Sequence, residues 1–257
     1  MYTDTHAHLQ KESLNDSLEN ILARAQAAQV TTIMCIGYDR ESSQEAVQLA
    51  RQYPQIYAVV GIHPHDATEW DQDTRDLLYK LAHEPKVVAI GEIGLDFYRD
   101  LSPRDKQRQA FVEQIKLAQE LGKPIVIHDR DAHQEVLDTV RREKAGINGG
   151  IMHCYSGYLP LAIDLMKEGF YISFAGPVSF KNARKTKEVA AHIPLDRILI
   201  ETDCPYLTPE PLRGKPNEPA YVVYVAQALA EIRRKPVEEI AYLTSRNAAQ
   251  VYRLPQR

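Results

Sequence analysis

Residues 87–94 read VVAIGEIG, a run in which most apolar residues follow one another instead of alternating with polar ones. Such a run is typical of a strand in a parallel sheet that is covered on both faces. It ends in Gly91-Glu92-Ile93-Gly94, so an acidic side chain stands near the point where the strand leaves the sheet. We therefore expect a buried parallel strand with a functional group at its carboxyl end.

Seven further β-rich runs surround this one, and their starts are 20 to 37 residues apart: YTDTH from residue 2, TTIMCIG from 31, YAVVGIH from 57, PIVIH from 124, GIMHC from 150, FYISFAG from 170 and RILIETD from 197. This spacing is close to the thirty or so residues that a βαβ unit needs. Helical patterns fill the intervals, and Ser102-Pro103 predicts a helix start with a capping hydroxyl.

Eight strands that alternate with helices, without a glycine-rich phosphate loop, favour an α/β fold of the (β/α)8 TIM-barrel type. No linker or low-complexity segment divides the chain, so we expect one domain over residues 1–257. In such a barrel the active site lies at the C-terminal ends of the strands.

Composition limits the classes of function. The 31 basic and 35 acidic residues give a net charge of −4, which argues against general binding to duplex DNA. Three widely spaced cysteines predict neither a disulfide framework nor a cysteine-based zinc site. With no leader or membrane-spanning run apparent, we expect a cytoplasmic, monomeric protein that needs no membrane or obligate protein partner.

Metal-ligand side chains stand at the ends of five of the predicted strands. Together they provide four imidazoles and two carboxylates, which is too many for one tetrahedral ion and suits two. The predicted ligands are His6, His8, Glu92, His128, His153 and Asp203.

Strand order suggests how these ligands divide. Strands one and eight are neighbours in a closed barrel, which assigns His6, His8 and Asp203 to one ion. The adjacent strands five and six assign His128 and His153 to a second ion with Glu92, whose two oxygens also make it the bridging candidate. Two such ions activate a water for hydrolysis. The histidines inside helical segments are expected on the surface: His83, His133 and His192.

At these positions the sequence resembles the TatD family of metal-dependent deoxyribonucleases and related hydrolases, within the amidohydrolase-like metallo-barrels. The resemblance spans nearly the whole chain and rests on these blocks: Asp4 to His8, Gly61 to His65, Gly91 to Asp96, Ile127 to Ala132, His153 to Gly157, Glu201 to Leu207 and Arg213 to Pro219.

The resemblance implies a (β/α)8 barrel, a site for one or two divalent cations and phosphodiester hydrolysis, often from the 3′ end of single-stranded DNA or RNA. It places the family's metal ligands on the six residues named above and a further site histidine on His63. Glu92 occupies the exit of strand four, where some wider relatives use a carbamylated lysine.

Three residues are predicted to be catalytic. Asp203 is expected to bind metal and also to orient and deprotonate the nucleophilic water. Glu92 is expected to bridge the ions. His63 is expected to protonate a leaving group or hold a phosphate oxygen. The alternative for His63 is a hydrogen bond to a metal ligand.

Substrate contacts are predicted near the same strand ends. Arg130 and Arg213 are candidates for phosphate binding. Lys181 is expected to share a helix face with Arg184 and Lys185, close to Lys187, and to guide a nucleic-acid backbone. Tyr155 is predicted to stack on bases, and so are the nearby rings of Tyr158, Phe174 and Tyr206.

The sequence leaves the metal open between magnesium, manganese and zinc. It also leaves two alternatives to a nuclease. The same activated water can attack a carbonyl carbon, which would give an amide, ester or lactone hydrolase, and a barrel could bind metal without catalysis.

Overall fold

A computed structural model describes residues 1–10 and 14–255 of the chain. Its strands lie in one eight-stranded sheet in sequence order. They are β1 (Tyr2–Ala7), β2 (Val30–Ile36), β3 (Ile56–Val60), β4 (Val87–Asp96), β5 (Ile125–Arg130), β6 (Gly150–Met152), β7 (Phe170–Phe174) and β8 (Ile198–Ile200). Each of them overlaps one of the eight predicted runs.

The α-helices of the described residues follow the strands and end with an extra helix: α1 (Leu18–Ala27), α2 (Arg40–Gln52), α3 (Gln72–Ala82), α4 (Arg104–Glu120), α5 (His133–Glu143), α6 (Leu159–Lys167), α7 (Arg184–His192), α8 (Val222–Arg233) and α9 (Val237–Val251). Among these helices, none combines the length and the apolar character that crossing a bilayer requires.

A parallel bridge between Ala7 and Cys204 joins the chain after β8 to the end of β1. With the strand order and the alternating helices, this gives the (β/α)8 fold, so the predicted fold class is confirmed. Every residue of β6, β7 and β8 is buried, which explains why their sequences do not alternate.

The chain divides into two compact units. The first comprises Met1–Met34, Cys154–Ile163 and Ile172–Arg257, and the second comprises Cys35–His153 and Asp164–Tyr171. The single domain over residues 1–257 stays a prediction, and residues 11–13 and 256–257 lie outside the described part.

Ser102 corrects one prediction about helix α4. The helix begins at Arg104 and has no side-chain cap at its N-terminus. The Ser102 hydroxyl instead donates a hydrogen bond to the carbonyl of His65 at 2.6 Å. Its role is thus to fix the segment that follows β3.

Two buried glutamines of α4 hold the segments at the ends of β3 and β4. Gln114 accepts the Ile62 N–H through Oε1 at 2.8 Å and donates from Nε2 to the Ile62 carbonyl at 3.0 Å. Gln107 accepts the Asp96 N–H at 2.9 Å and donates to the Asp96 carbonyl at 3.3 Å. Each side chain satisfies both peptide groups of one residue, as a neighbouring strand would.

We predict that Gln114→Ala lowers the free energy of unfolding by about 2–4 kcal/mol, because it leaves a buried N–H and a buried C=O without partners. Gln109 lies on the exposed face of the same helix, so Gln109→Ala should change this free energy by less than about 0.5 kcal/mol. Urea unfolding followed by circular dichroism measures both values. Equal losses for the two variants would contradict the clamp.

Candidate metal centre

The first unit brings together His6, His8 and Asp203. His6 belongs to β1, His8 follows it, and Asp203 lies just after β8. The Asp203 Oδ1 lies 3.8 Å from His6 Nε2 and 3.6 Å from His8 Nε2, and all three residues are buried.

These distances suit a shared cation. Ligands at 2.0–2.1 Å around a tetrahedral zinc stand about 3.4 Å from one another. The three donor atoms lie within 4.8 Å of one another, and imidazole with carboxylate is a donor set for zinc, manganese or iron. The group therefore fits a divalent cation with little movement.

Buried polar contacts fix the strands that carry this group. Asp4 Oδ1 accepts the Thr202 N–H at 2.9 Å, and Asp4 Oδ2 accepts the Thr202 hydroxyl at 2.6 Å. These bonds tie β1 to the segment after β8. Burial raises the pKa of Asp4 to about 8, although the hydrogen bonds from Thr202 act in the opposite direction.

Glu201 is a further acid in this unit and is not among the predicted ligands. Its Oε1 accepts the Cys154 N–H at 2.7 Å and its Oε2 accepts the Ser173 hydroxyl at 2.5 Å. One of its oxygens also lies within 4.8 Å of a His6 ring nitrogen. Its position directly after β8, two residues before Asp203, was the available signal.

The second unit gathers three histidines around one oxygen of Glu92. Glu92 Oε1 lies 2.9 Å from His128 Nδ1, 3.5 Å from His153 Nε2 and 3.6 Å from His63 Nε2. Donor atoms of His63, Glu92 and His128 all lie within 4.8 Å of one another. This set also has the donor chemistry of a divalent-cation site.

His63 differs from the other imidazoles in its hydrogen-bond polarity. Its Nδ1 accepts the backbone N–H of His65 at 3.1 Å. A neutral imidazole that accepts at one nitrogen carries its hydrogen on the other. The Nε2 of His63 is therefore a proton donor, which favours a role toward substrate over a role as metal ligand.

His128 lies between two carboxylates. Its Nε2 is 3.2 Å from Asp96 Oδ2, opposite the contact of its Nδ1 with Glu92. Burial alone would lower the pKa of His128, but the hydrogen bonds with Asp96 and Glu92 raise it to about 9. Burial likewise opposes ionisation of Asp96, yet hydrogen bonds from His128, the Arg99 N–H and His65 hold its pKa well below the usual range.

The two predicted phosphate-binding arginines are exposed. The Arg130 guanidinium lies 5.1 Å from the centre of the Tyr98 ring. The Arg213 guanidinium lies 4.4 Å from the centre of the Phe180 ring. Both cations rest on an aromatic face and remain open to solvent, so they are available to an anionic ligand.

Helix α7 begins at Arg184, so the exposed Lys181 lies before the helix. The predicted helical face shared by Lys181, Arg184 and Lys185 is therefore wrong. A contact of Lys181 with substrate stays a prediction, but helical spacing does not support it.

The tyrosines near the first unit's strand ends differ in exposure. The Tyr155 ring is only 5% exposed, and its hydroxyl donates to the Tyr158 carbonyl at 2.9 Å. Phe174 is also buried. Stacking on a base needs an open ring face, so the structure gives these two rings a packing role instead. Tyr206 is 61% exposed, and its ring centre lies 6.2 Å from that of His8.

His83, His133 and His192 belong to neither donor group. His83 and His192 are exposed, as predicted. His133 is half-buried, because its Nδ1 pairs with Asp129 Oδ2 at 2.8 Å.

Asp96 and His65 form a further pair that is not among the predicted site residues. Asp96 Oδ2 lies 2.7 Å from His65 Nε2. The available signal was the four-residue spacing, because a regular strand would place Glu92 and Asp96 on one face.

Comparison with known proteins gives matches over nearly the whole chain. The model of the TatD related DNase family matches residues 3–253. A Bacillus subtilis (strain 168) protein named uncharacterized metal-dependent hydrolase YabD is 48% identical over 254 residues, which cover 99% of this chain and 100% of that protein. An Escherichia fergusonii protein named 3′-5′ ssDNA/RNA exonuclease TatD is 35% identical over 254 residues, with 97% of this chain and 98% of that protein covered.

A solved structure extends the likeness to three dimensions. The crystal structure of YJJV, a TatD homologue from Escherichia coli K12, matches with a TM-score of 0.93 at 31% identity, over 99% of this chain and 98% of that one. The fold, the family model and the two relatives agree over nearly the whole chain. The chain therefore belongs to the TatD family of metal-dependent hydrolases.

Proposed function

We propose that this protein is a divalent-metal-dependent nuclease that removes nucleotides from the 3′ end of single-stranded DNA and also accepts RNA. The observation that carries the proposal is the presence of two largely buried donor groups, His6 with His8 and Asp203, and Glu92 with its three histidines. The Escherichia fergusonii relative is named a 3′-5′ ssDNA/RNA exonuclease, which agrees with the proposal.

Each donor group would hold one divalent cation, either magnesium, manganese or zinc. His6, His8 and Asp203 would hold the first, and Glu92, His128 and His153 the second. Bound cations of this kind supply Lewis acidity at a phosphate and a nucleophilic water at neutral pH. The bridging role of Glu92, the monomeric state and the cytoplasmic location stay predictions.

The chain's own residues would contribute proton transfer and orientation. We expect the Asp203 carboxylate to accept the proton of the attacking water, and His63 to give its Nε2 hydrogen to the leaving oxygen. Arg130 and Arg213 bind phosphate oxygens through exposed guanidinium groups. The positive charges of these two arginines favour a phosphodiester substrate over the amides, esters or lactones that the same metal-donor groups could also help to hydrolyse.

The first test is degradation of single-stranded DNA with a free or a blocked 3′ end, by chelator-stripped protein to which magnesium, manganese or zinc is added. We expect cleavage that needs metal, starts from the free 3′ end and falls at least about 10³-fold in Glu92→Ala. Cleavage without metal that is also unaffected by Glu92→Ala would end the nuclease proposal. Lactone or ester turnover with intact DNA would favour the alternative.

The second test separates the two roles of Asp203. Asp203→Asn keeps one carbonyl oxygen as a ligand but loses the base, so we expect kcat to fall by about 10²–10⁴ while metal content falls much less. Metal analysis by mass spectrometry and single-turnover rates on the same samples measure the two quantities. Equal losses would make Asp203 a simple ligand.

The third test uses the pKa of His128. Because this pKa is about 9 in the metal-free protein, the ring carries a proton at pH 7 that a cation must displace from Nδ1. The association constant of Mn²⁺ should therefore rise about tenfold per unit between pH 7 and 8.5. Isothermal titration calorimetry measures it, with His133→Gln as a control that keeps the slope. A constant affinity over this range would contradict the raised pKa, since an imidazole of ordinary pKa, about 6.5, is already neutral there.

A further inference from the structure

Asp96 sits at the end of β4 with its side chain in contact with two imidazoles. It is 2% exposed, and its Oδ2 lies 2.7 Å from His65 Nε2 and 3.2 Å from His128 Nε2. His128 faces Glu92 with its other ring nitrogen, Nδ1. Oδ2 of Asp96 therefore contacts both rings, and it meets the His128 ring at the nitrogen opposite Glu92.

The rest of Asp96 is fixed by hydrogen bonds. Its Oδ1 accepts the N–H groups of Tyr98 at 3.0 Å and Arg99 at 2.7 Å. Its own peptide N–H and C=O bind the buried side chain of Gln107. The carboxylate thus has a single orientation, in which Oδ2 points at the two rings.

This arrangement keeps a hydrogen on Nε2 of His128. An ionised carboxylate can only accept hydrogen bonds, so both facing Nε2 atoms must donate. The Nδ1 of His128, 2.9 Å from Glu92 Oε1, also carries a hydrogen until a cation displaces it. Asp96 then keeps the remaining hydrogen on Nε2, and Nδ1 presents a lone pair. That lone pair lies inside the group of donor atoms that fits a cation.

We propose that Asp96 is a positioning residue that holds His128 in the Nε2–H form, so that Nδ1 binds a divalent cation. The inference rests on the proposed metal-binding role of His128. A carboxylate behind a histidine ligand fixes its ring orientation and raises its basicity, and removal of such a partner weakens metal binding about 10–100-fold.

Asp96→Asn tests this proposal with little change in volume. The amide oxygen can still accept the hydrogen bonds from the backbone N–H groups of Tyr98 and Arg99. The amide nitrogen then faces His65 and His128. A donor there forces the hydrogen of His128 to Nδ1, the atom that the cation needs. We expect Zn²⁺ and Mn²⁺ affinity to fall about 10–100-fold in calorimetric titrations of chelator-stripped protein.

Asp129→Asn is the matched control. Asp129 makes the same kind of pair with His133, at 2.8 Å, on the neighbouring strand β5. Successive strand residues point to opposite faces, so this pair lies away from the His128 ring. The control should keep metal affinity within about twofold of the unaltered protein.

Nuclear magnetic resonance of the zinc-loaded, unaltered protein gives a readout that requires no variant. Two-bond nitrogen–proton correlations should place a hydrogen-bonded proton on His128 Nε2 and leave Nδ1 as the metal-bound atom. Thermal unfolding in chelator checks that Asp96→Asn is folded. Zinc bound through Nε2, or unchanged metal affinity in folded Asp96→Asn, would overturn the proposal.

His128→Ala separates this proposal from the one it rests on. If His128→Ala retains full metal affinity, the metal-binding role of His128 fails and the Asp96 proposal fails with it. If His128→Ala loses affinity and Asp96→Asn does not, only the Asp96 proposal is wrong.

Discussion

The carboxylate of Glu92, buried among imidazole nitrogens, imposes the main constraint on the site. A buried ionised carboxylate costs several kcal/mol unless positive charge or hydrogen-bond donors surround it. Without a metal, the positive charge is that of the protonated His128 ring, whose Nδ1 donates a hydrogen bond to Glu92 Oε1. The same oxygen would face a bound cation. Protons and cations therefore compete for one nitrogen, which couples metal loading to proton release.

Precision at the strand ends comes from polar groups in the core. A strand that runs beyond its neighbours has peptide groups with no ladder partner, and burying them without hydrogen bonds is costly. Helix α4 supplies those partners through Gln107 and Gln114, which bind the peptides of Asp96 and Ile62. The backbone of Asp96 is therefore fixed independently of the contacts that its carboxylate makes with histidines. The backbone of Ile62 is fixed in the same way, and Ile62 directly precedes His63. Helix α4 thus helps to fix the positions of Asp96 and His63.

The sequence predicts the fold because burial leaves a regular record, in unbroken apolar runs at βαβ spacing. It predicts which ligand-type side chains meet because parallel strands end on one side of a sheet. It does not predict contacts set by loop conformation. Ser102 donates to the His65 carbonyl and does not cap helix α4. Lys181 lies before the first residue of helix α7, and the Tyr155 ring is buried. The alternation that pairs His6 with His8 would also place Asp96 on the face of Glu92 in a regular strand, so the spacing of these two acids was a usable signal.

Hydrogen-bond polarity, more than proximity, distinguishes the histidines of the second unit. His63 and His128 both approach Glu92, and their ring centres are only 4.4 Å apart. A backbone N–H directs the hydrogen of His63 inward to Nε2, whereas Asp96 draws the hydrogen of His128 outward to Nε2 and leaves Nδ1 facing inward. In the proposed site the first ring offers a proton at Nε2, and the second offers a lone pair at Nδ1 once a cation displaces the proton there. Because each polarity is set from behind the ring, an acid and a ligand can stand side by side without exchanging roles.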